Sequence, residues 1–108
     1  MIKEYEDVKR FLDQRVSSKY LDAAVIVDDI FTDEYNALDI TIIGERKISN
    51  DFYFNLQSET KKKYGHIVNG FEMISPTYKN HTSIIVYLIK PIELRHSKLR
   101  KIKSKITV

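Results

Sequence analysis

Five carboxylates, Asp28, Asp29, Asp33, Glu34 and Asp39, fall within one short stretch of the chain. Oxygen donors gathered at one end of a sheet are what a hard cation such as Mg²⁺ requires. The stretch also reads as a turn, and Asp and Glu populate turns for conformational reasons alone. No Asp-x-Asp-x-Asp-Gly loop is present, so the EF-hand arrangement is excluded and no metal ligands are assigned. His66, His81 and His96 lie in separate segments without the HxH or HxxxH spacing that zinc sites use. A Gly-x-Ser-x-Gly nucleophile turn is missing. Gly44, Gly65 and Gly70 are too far apart to wrap a phosphate. The chain has no Cys, which removes disulfides, thiolate zinc sites and cysteine nucleophiles together. These readings assign no catalytic residue and no cofactor, and they lean away from an enzyme.

Charge patterning suggests binding instead. Up to Asp51 the chain carries 12 Asp/Glu against 7 Lys/Arg, and from Phe52 onward 3 against 11. The segment 94–108 is basic, and residues 101–108 alternate: Ile102, Ser104, Ile106 and Val108 against Lys101, Lys103, Lys105 and Thr107. That period predicts an edge strand, whose lysines would guard against edge-to-edge aggregation or pair it with a second copy in a homodimer. Read as a helix, the same tail shows a stripe of Ile92, Leu99, Ile102 and Ile106. Either form offers a comb of cations to a phosphate backbone. The expected function is a small non-enzymatic binding protein that contacts nucleic acid or another polyanion, an acidic protein included. Lys61, Lys62, Lys63, Arg100, Lys101, Lys103 and Lys105 would supply the charge and Tyr53 a stacking surface. The alternative is a protein-binding accessory or inhibitor module of a phage or plasmid type of mobile element. It would engage a host protein through Asp28, Asp29, Asp33, Glu34 and Tyr35, since aromatic anchors dominate protein interfaces.

These residues need elements to position them. Tyr5, Val8, Leu12 and Val16 recur at helical spacing and predict a helix over 3–18. From Ala23 to Phe31 the period is two, with Ala24, Ile26 and Ile30 on one face and Val25, Val27 and Phe31 on the other. Apolar residues on both faces predict a strand interior to its sheet, with Asp28 and Asp29 at its exit. A second strand over 37–43 turns Leu38, Ile40 and Ile42 inward and Asp39 and Thr41 outward. A third strand opens at Asn50-Asp51 and alternates Phe52, Phe54 and Leu56 against Tyr53, Asn55 and Gln57. For 58–70, a short helix capped by Ser58 and stopped at Asn69-Gly70 competes with a type I′ hairpin at Asn69-Gly70. The helix is preferred, with a strand from Phe71. The run 82–90 is the most strand-like and belongs at the centre of the sheet. No internal repeat is evident. The fold class expected is α+β, one two-layer domain over 1–108, its N-terminal helix packed on a mainly antiparallel sheet of four to five strands.

The order helix, strand, strand, strand, helix, strand is similar to the core of the PD-(D/E)xK nucleases, and LDITII around Asp39 looks like their metal-binding strand. The resemblance covers roughly residues 3–68. It implies a second carboxylate and a Lys on the next strand to hold Mg²⁺ and orient water. At those places FYFNLQ has Asn55 and Gln57, so it implies a degenerate member of that fold.

At 108 residues and 43% hydrophobic content, the chain can bury a modest core. Abundant Lys, Ile, Asn and Tyr match an AT-rich coding sequence. The charged opening MIKEYEDVKRFLDQ is unlike a signal peptide, and no apolar run approaches the ~18 residues of a membrane span. A cytoplasmic protein without membrane contact is expected.

Overall fold

A computed structural model describes residues 3–44, 47–75 and 80–90 of the chain. Its elements are α1 (Lys3–Lys19), β1 (Ala24–Phe31), β2 (Asn36–Ile43), α2 (Asn50–Tyr64), β3 (Val68–Ile74) and β4 (His81–Leu88). The strands form one antiparallel sheet in the order β1-β2-β4-β3, and both helices lie on one face of it. This is the expected α+β fold with a four-stranded antiparallel sheet and an additional helix.

The predicted stripe of α1 is its buried face: Tyr5, Val8, Leu12 and Val16 are at most 2% exposed. Glu4 and Glu6 in the first turn and Lys19 in the last suit the helix dipole. Tyr5 reaches further than packing alone requires. Its hydroxyl donates to the Ile89 carbonyl and accepts from Asn36 Nδ2 at 3.3 Å, tying the helix start to one end of the sheet.

Residues 50–57 correct the sequence reading. They are not a third strand but the first half of α2, whose N-cap is Ser49, with its hydroxyl accepting from Phe52 N at 3.4 Å. An alternation six residues long also fits a helix that buries only one position per turn, here Leu56 and then Thr60. Thr60 stays in the core because its hydroxyl donates to the Leu56 carbonyl at 2.6 Å. Ser58 is a mid-helix surface residue and not a cap. Asn69-Gly70 is neither a helix stop nor a hairpin turn. It lies inside β3, at a bulge between Val68 and Gly70. The PD-(D/E)xK-like order therefore fails, because the strand that should carry the second carboxylate and Lys is absent and Asn55 and Gln57 are helical.

The sheet places its faces as predicted but not all its strands. Leu38, Ile40 and Ile42 of β2 and Thr82, Ile84, Val86 and Leu88 of β4 are buried beneath the helices. β4 is interior as expected. β1 is an edge strand, contrary to expectation, although it is apolar on both faces. Gly44, at φ 106, turns the chain out of β2, and Ile48 of the following connection is buried in the core.

The described elements contain an order the sequence reading missed: αββ occurs twice, and the sheet order sets the halves about an approximate dyad between β2 and β4. The helices bury Leu12 and Leu56, Val16 and Thr60, each pair 44 positions apart. Tyr20 and Tyr64, at the same spacing, stack on Phe52 and Phe11 of the opposite helix at 5.3 and 5.5 Å. Few other positions match, which is why no repeat was evident.

Candidate docking surface on the open sheet face

The helices cover one face of the sheet, and the side chains of the other point away from them. Strand register arranges this open face in transverse rows. Ile26, Thr41, Ser83 and Ile74 form one row, Asp28, Asp39, Ile85 and Glu72 the next, and Ile30, Ala37, Tyr87 and Gly70 a third. Ile43 and His81 continue it beyond the first row. Ile26, Ile43 and Ile74 remain 44–45% exposed, and Ile30, Ile85 and Tyr87 are half-buried. Among the described residues no Lys or Arg falls on this face.

Its middle row is electrostatically unusual. Asp28 and Asp39 are directly opposed across β1 and β2, a like-charge pairing that costs stability. Asp39 Oδ1 is buried without a hydrogen-bond partner. Loss of water is the main reason its carboxyl titrates above the ordinary value, and the Asp28 charge adds to the rise; Thr41, His81 and Ser83 oppose it. Next to this row, Tyr87 stacks edge-on with Tyr35 at 5.5 Å. Burial, Glu72 and Tyr35, in that order, raise the pKa of its hydroxyl. Opposite Tyr87, Gly70 leaves open space.

Of the protein-binding candidates, the structure brings Asp28 and Tyr35 to this face. Asp33 and Glu34 are exposed in the adjoining turn, which Thr32 closes through its hydroxyl and amide to Tyr35. Asp29 does not join them. It is not at the strand exit but inside β1 on the helical face, 3.4 Å from Lys9 Nζ. The five carboxylates thus divide between the two faces of the sheet and the β1–β2 turn, and among the described residues no three His, Asp or Glu side chains are placed to hold a metal ion.

Of the nucleic-acid candidates, those within the described residues all lie on α2. Tyr53 sits on α2 and not on a sheet face, half-buried with its ring 5.8 Å from Phe54 and 6.4 Å from Phe71. Burial chiefly, then Glu72, raises its hydroxyl pKa. Lys61, Lys62 and Lys63 occupy the last turn of α2, where Lys63 lies over the Phe11 and Tyr64 rings at 5.2 and 5.6 Å. Lys61 and Lys62 are exposed. Arg100, Lys101, Lys103, Lys105 and the edge strand through which a homodimer was expected lie outside the described residues. A shallow groove between the helices, lined by Arg15, Lys19, Phe52 and Leu56 among others, is bridged by the Arg15–Glu59 ion pair.

Sequence reasoning did not gather Ile26, Ile43, Ile74, Glu72 and Asp39 on one open face of the sheet. The signal was present: β1 and β4 are apolar on both faces, which was read as burial on both. Among the described residues no helix is long and apolar enough to cross a membrane. Compared with protein-family models, curated proteins and solved structures, the chain matches none of them.

Proposed function

We propose that this chain is a non-enzymatic binding module that docks a basic protein segment on the open face of its sheet. The observation that carries the reading is the composition of that face: three half-exposed isoleucines on one side of the row that holds Asp28, Asp39 and Glu72, with no Lys or Arg among its described residues. Contiguous exposed apolar surface marks interaction sites, and uniform charge selects a partner of opposite sign. Covering the exposed remainder of Ile26, Ile43 and Ile74 contributes about 2–4 kcal/mol, and a cation between Asp28 and Asp39 relieves their repulsion.

The test is a titration of the full chain, followed by amide NMR, with a synthetic peptide of alternating isoleucine and lysine. Shifts should concentrate at Ile26, Asp28, Ile43, Ile74 and Ile85 and be lost in Ile26→Lys/Ile74→Lys, which removes the apolar contacts and opposes the peptide's charge. Shifts confined to α1 and α2, or none, overturn the reading.

A second reading is favoured by one observation. The described residues carry 13 Asp/Glu against 10 Lys/Arg, while residues 91–108 carry six Lys/Arg against Glu93 alone. A polyanion would therefore engage the segment 94–108, with Lys61 and Lys62 as accessory contacts. Retention on heparin that collapses between 50 and 300 mM salt, and is lost on Lys101→Glu/Lys103→Glu/Lys105→Glu, supports it. Elution at the void refutes it.

A further inference from the structure

We propose that the occupant of the open sheet face is the basic segment of the same chain, residues 95–108. The inference rests on the docking reading above and names its ligand. Charge complementarity is the first argument. The face presents Asp28, Asp39 and Glu72 with no Lys or Arg among its described residues, and the segment presents Arg95, Lys98, Arg100, Lys101, Lys103 and Lys105 with no acidic residue. Apolar complementarity is the second. Leu99, Ile102, Ile106 and Val108 interleave with those cations, and on the face Ile26, Ile43 and Ile74 lie to one side of the carboxylate row and Ile30 to the other. A second copy stacked face to face is a poorer occupant, because it would set three carboxylates against three.

Geometry permits the contact. β4 is an interior strand, and beyond its end the Lys90 ammonium donates to the carbonyls of Thr32, at 2.9 Å, and Asp33. The described chain therefore leaves off at the β1–β2 turn, beside the row that contains Tyr87. Residues 91–94 can span up to about 13 Å, so the segment begins beside the Tyr87 row, and the fourteen residues 95–108, up to about 46 Å when extended, are long enough to pass every row of a face about 26 Å long. A tether of this length sets an effective concentration on the order of 1 mM. A contact with a Kd of about 100 µM between separate molecules is then occupied roughly ten to one within the chain. Occupancy hides the face from outside partners and the cations from a polyanion, so each ligand displaces the segment in favour of itself.

Zero-length carbodiimide cross-linking of the full chain, mapped by mass spectrometry, tests this directly because it joins only amines and carboxylates already in contact. A mixture of ¹⁴N- and ¹⁵N-labelled protein separates links within a chain from links between chains. The expected result is links from Lys98, Lys101, Lys103 and Lys105 to Asp28 and Glu72, within single chains, suppressed by 0.5 M salt and by Ile26→Lys/Ile74→Lys. Links distributed over Glu4, Glu6, Asp13 and Asp51 of the helical layer, links mainly between chains, or no links overturn it. A second measurement separates this inference from the docking reading. Releasing a ten-to-one occupied face in Lys101→Glu/Lys103→Glu/Lys105→Glu should tighten binding of the isoleucine–lysine peptide roughly tenfold. Binding at the face with unchanged affinity leaves the docking reading standing and refutes self-occupancy. Absence of binding in both proteins refutes both.

Discussion

Replacing Asp39 by Asn should stabilise the protein near neutral pH, and the gain should disappear in acid. The substitution keeps the side-chain shape and removes the charge that opposes Asp28 across the strand pair. Asp39 is harder to ionise in the folded chain than in the unfolded one, chiefly because it is desolvated and then because Asp28 faces it. A carboxyl raised in this way penalises the native state once pH exceeds the unfolded value. The penalty grows until pH passes the folded value and is constant above it. Directly opposed side chains have Cβ atoms about 5 Å apart. Two charges about 6 Å apart at a partly wet surface, with an effective dielectric of about 40–80, repel by about 0.7–1.4 kcal/mol. Asp39→Asn should therefore raise the unfolding free energy by about 1 kcal/mol at pH 7, or Tm by about 4–6 °C. Urea unfolding at pH 7, 5 and 3 measures it, and Asp28→Asn with the double variant isolates the pair, whose coupling should be about 0.5–1 kcal/mol. Destabilisation at pH 7, or a gain that persists undiminished at pH 3, refutes the account of Asp39 as an uncompensated charge. The same variant should bind the isoleucine–lysine peptide more weakly, so stability and binding move in opposite directions.

Other consequences follow from the helical layer. Leu12→Ala removes a fully buried side chain at the centre of α1's inward stripe and should cost about 2–5 kcal/mol in urea unfolding. Ser49→Ala deletes the cap of α2 and should cost about 1 kcal/mol, with slower loss of protection at the helix centre than at Phe52 in hydrogen exchange.

Much of this fold was legible where one periodicity ran long enough to exclude the other. In the α1 stripe Tyr5, Val8, Leu12 and Val16 are all buried, while Phe11, which widens it in sequence, is half-buried against the core. The alternation of β2 correctly turned Leu38, Ile40 and Ile42 inward. Residues 50–57 were illegible because Phe52, Phe54 and Leu56 alternate over too few positions, and Thr60, which completes the helical face, is polar. The open face was hidden by a different ambiguity. Isoleucine on the second face of β1 has the same sequence signature whether another layer of the protein covers it or a ligand does. Asp28 and Asp29, adjacent in sequence, were grouped as one acidic site, yet a strand sends neighbours to opposite faces. One meets Lys9 and the other meets Asp39.

The doubled αββ order has a mechanical consequence. Each half, about 40 residues long, is at the lower limit of what buries its own core, and within the sheet the halves are joined by the pairing of β2 with β4. That seam runs through the middle of the open face, from Asn36 and Leu88 to Ile43 and His81. A ligand lying across the carboxylate row, from Asp28 on one edge to Glu72 on the other, grips both halves at once. It acts as a clasp over the joint, resisting their separation even though it touches neither helix.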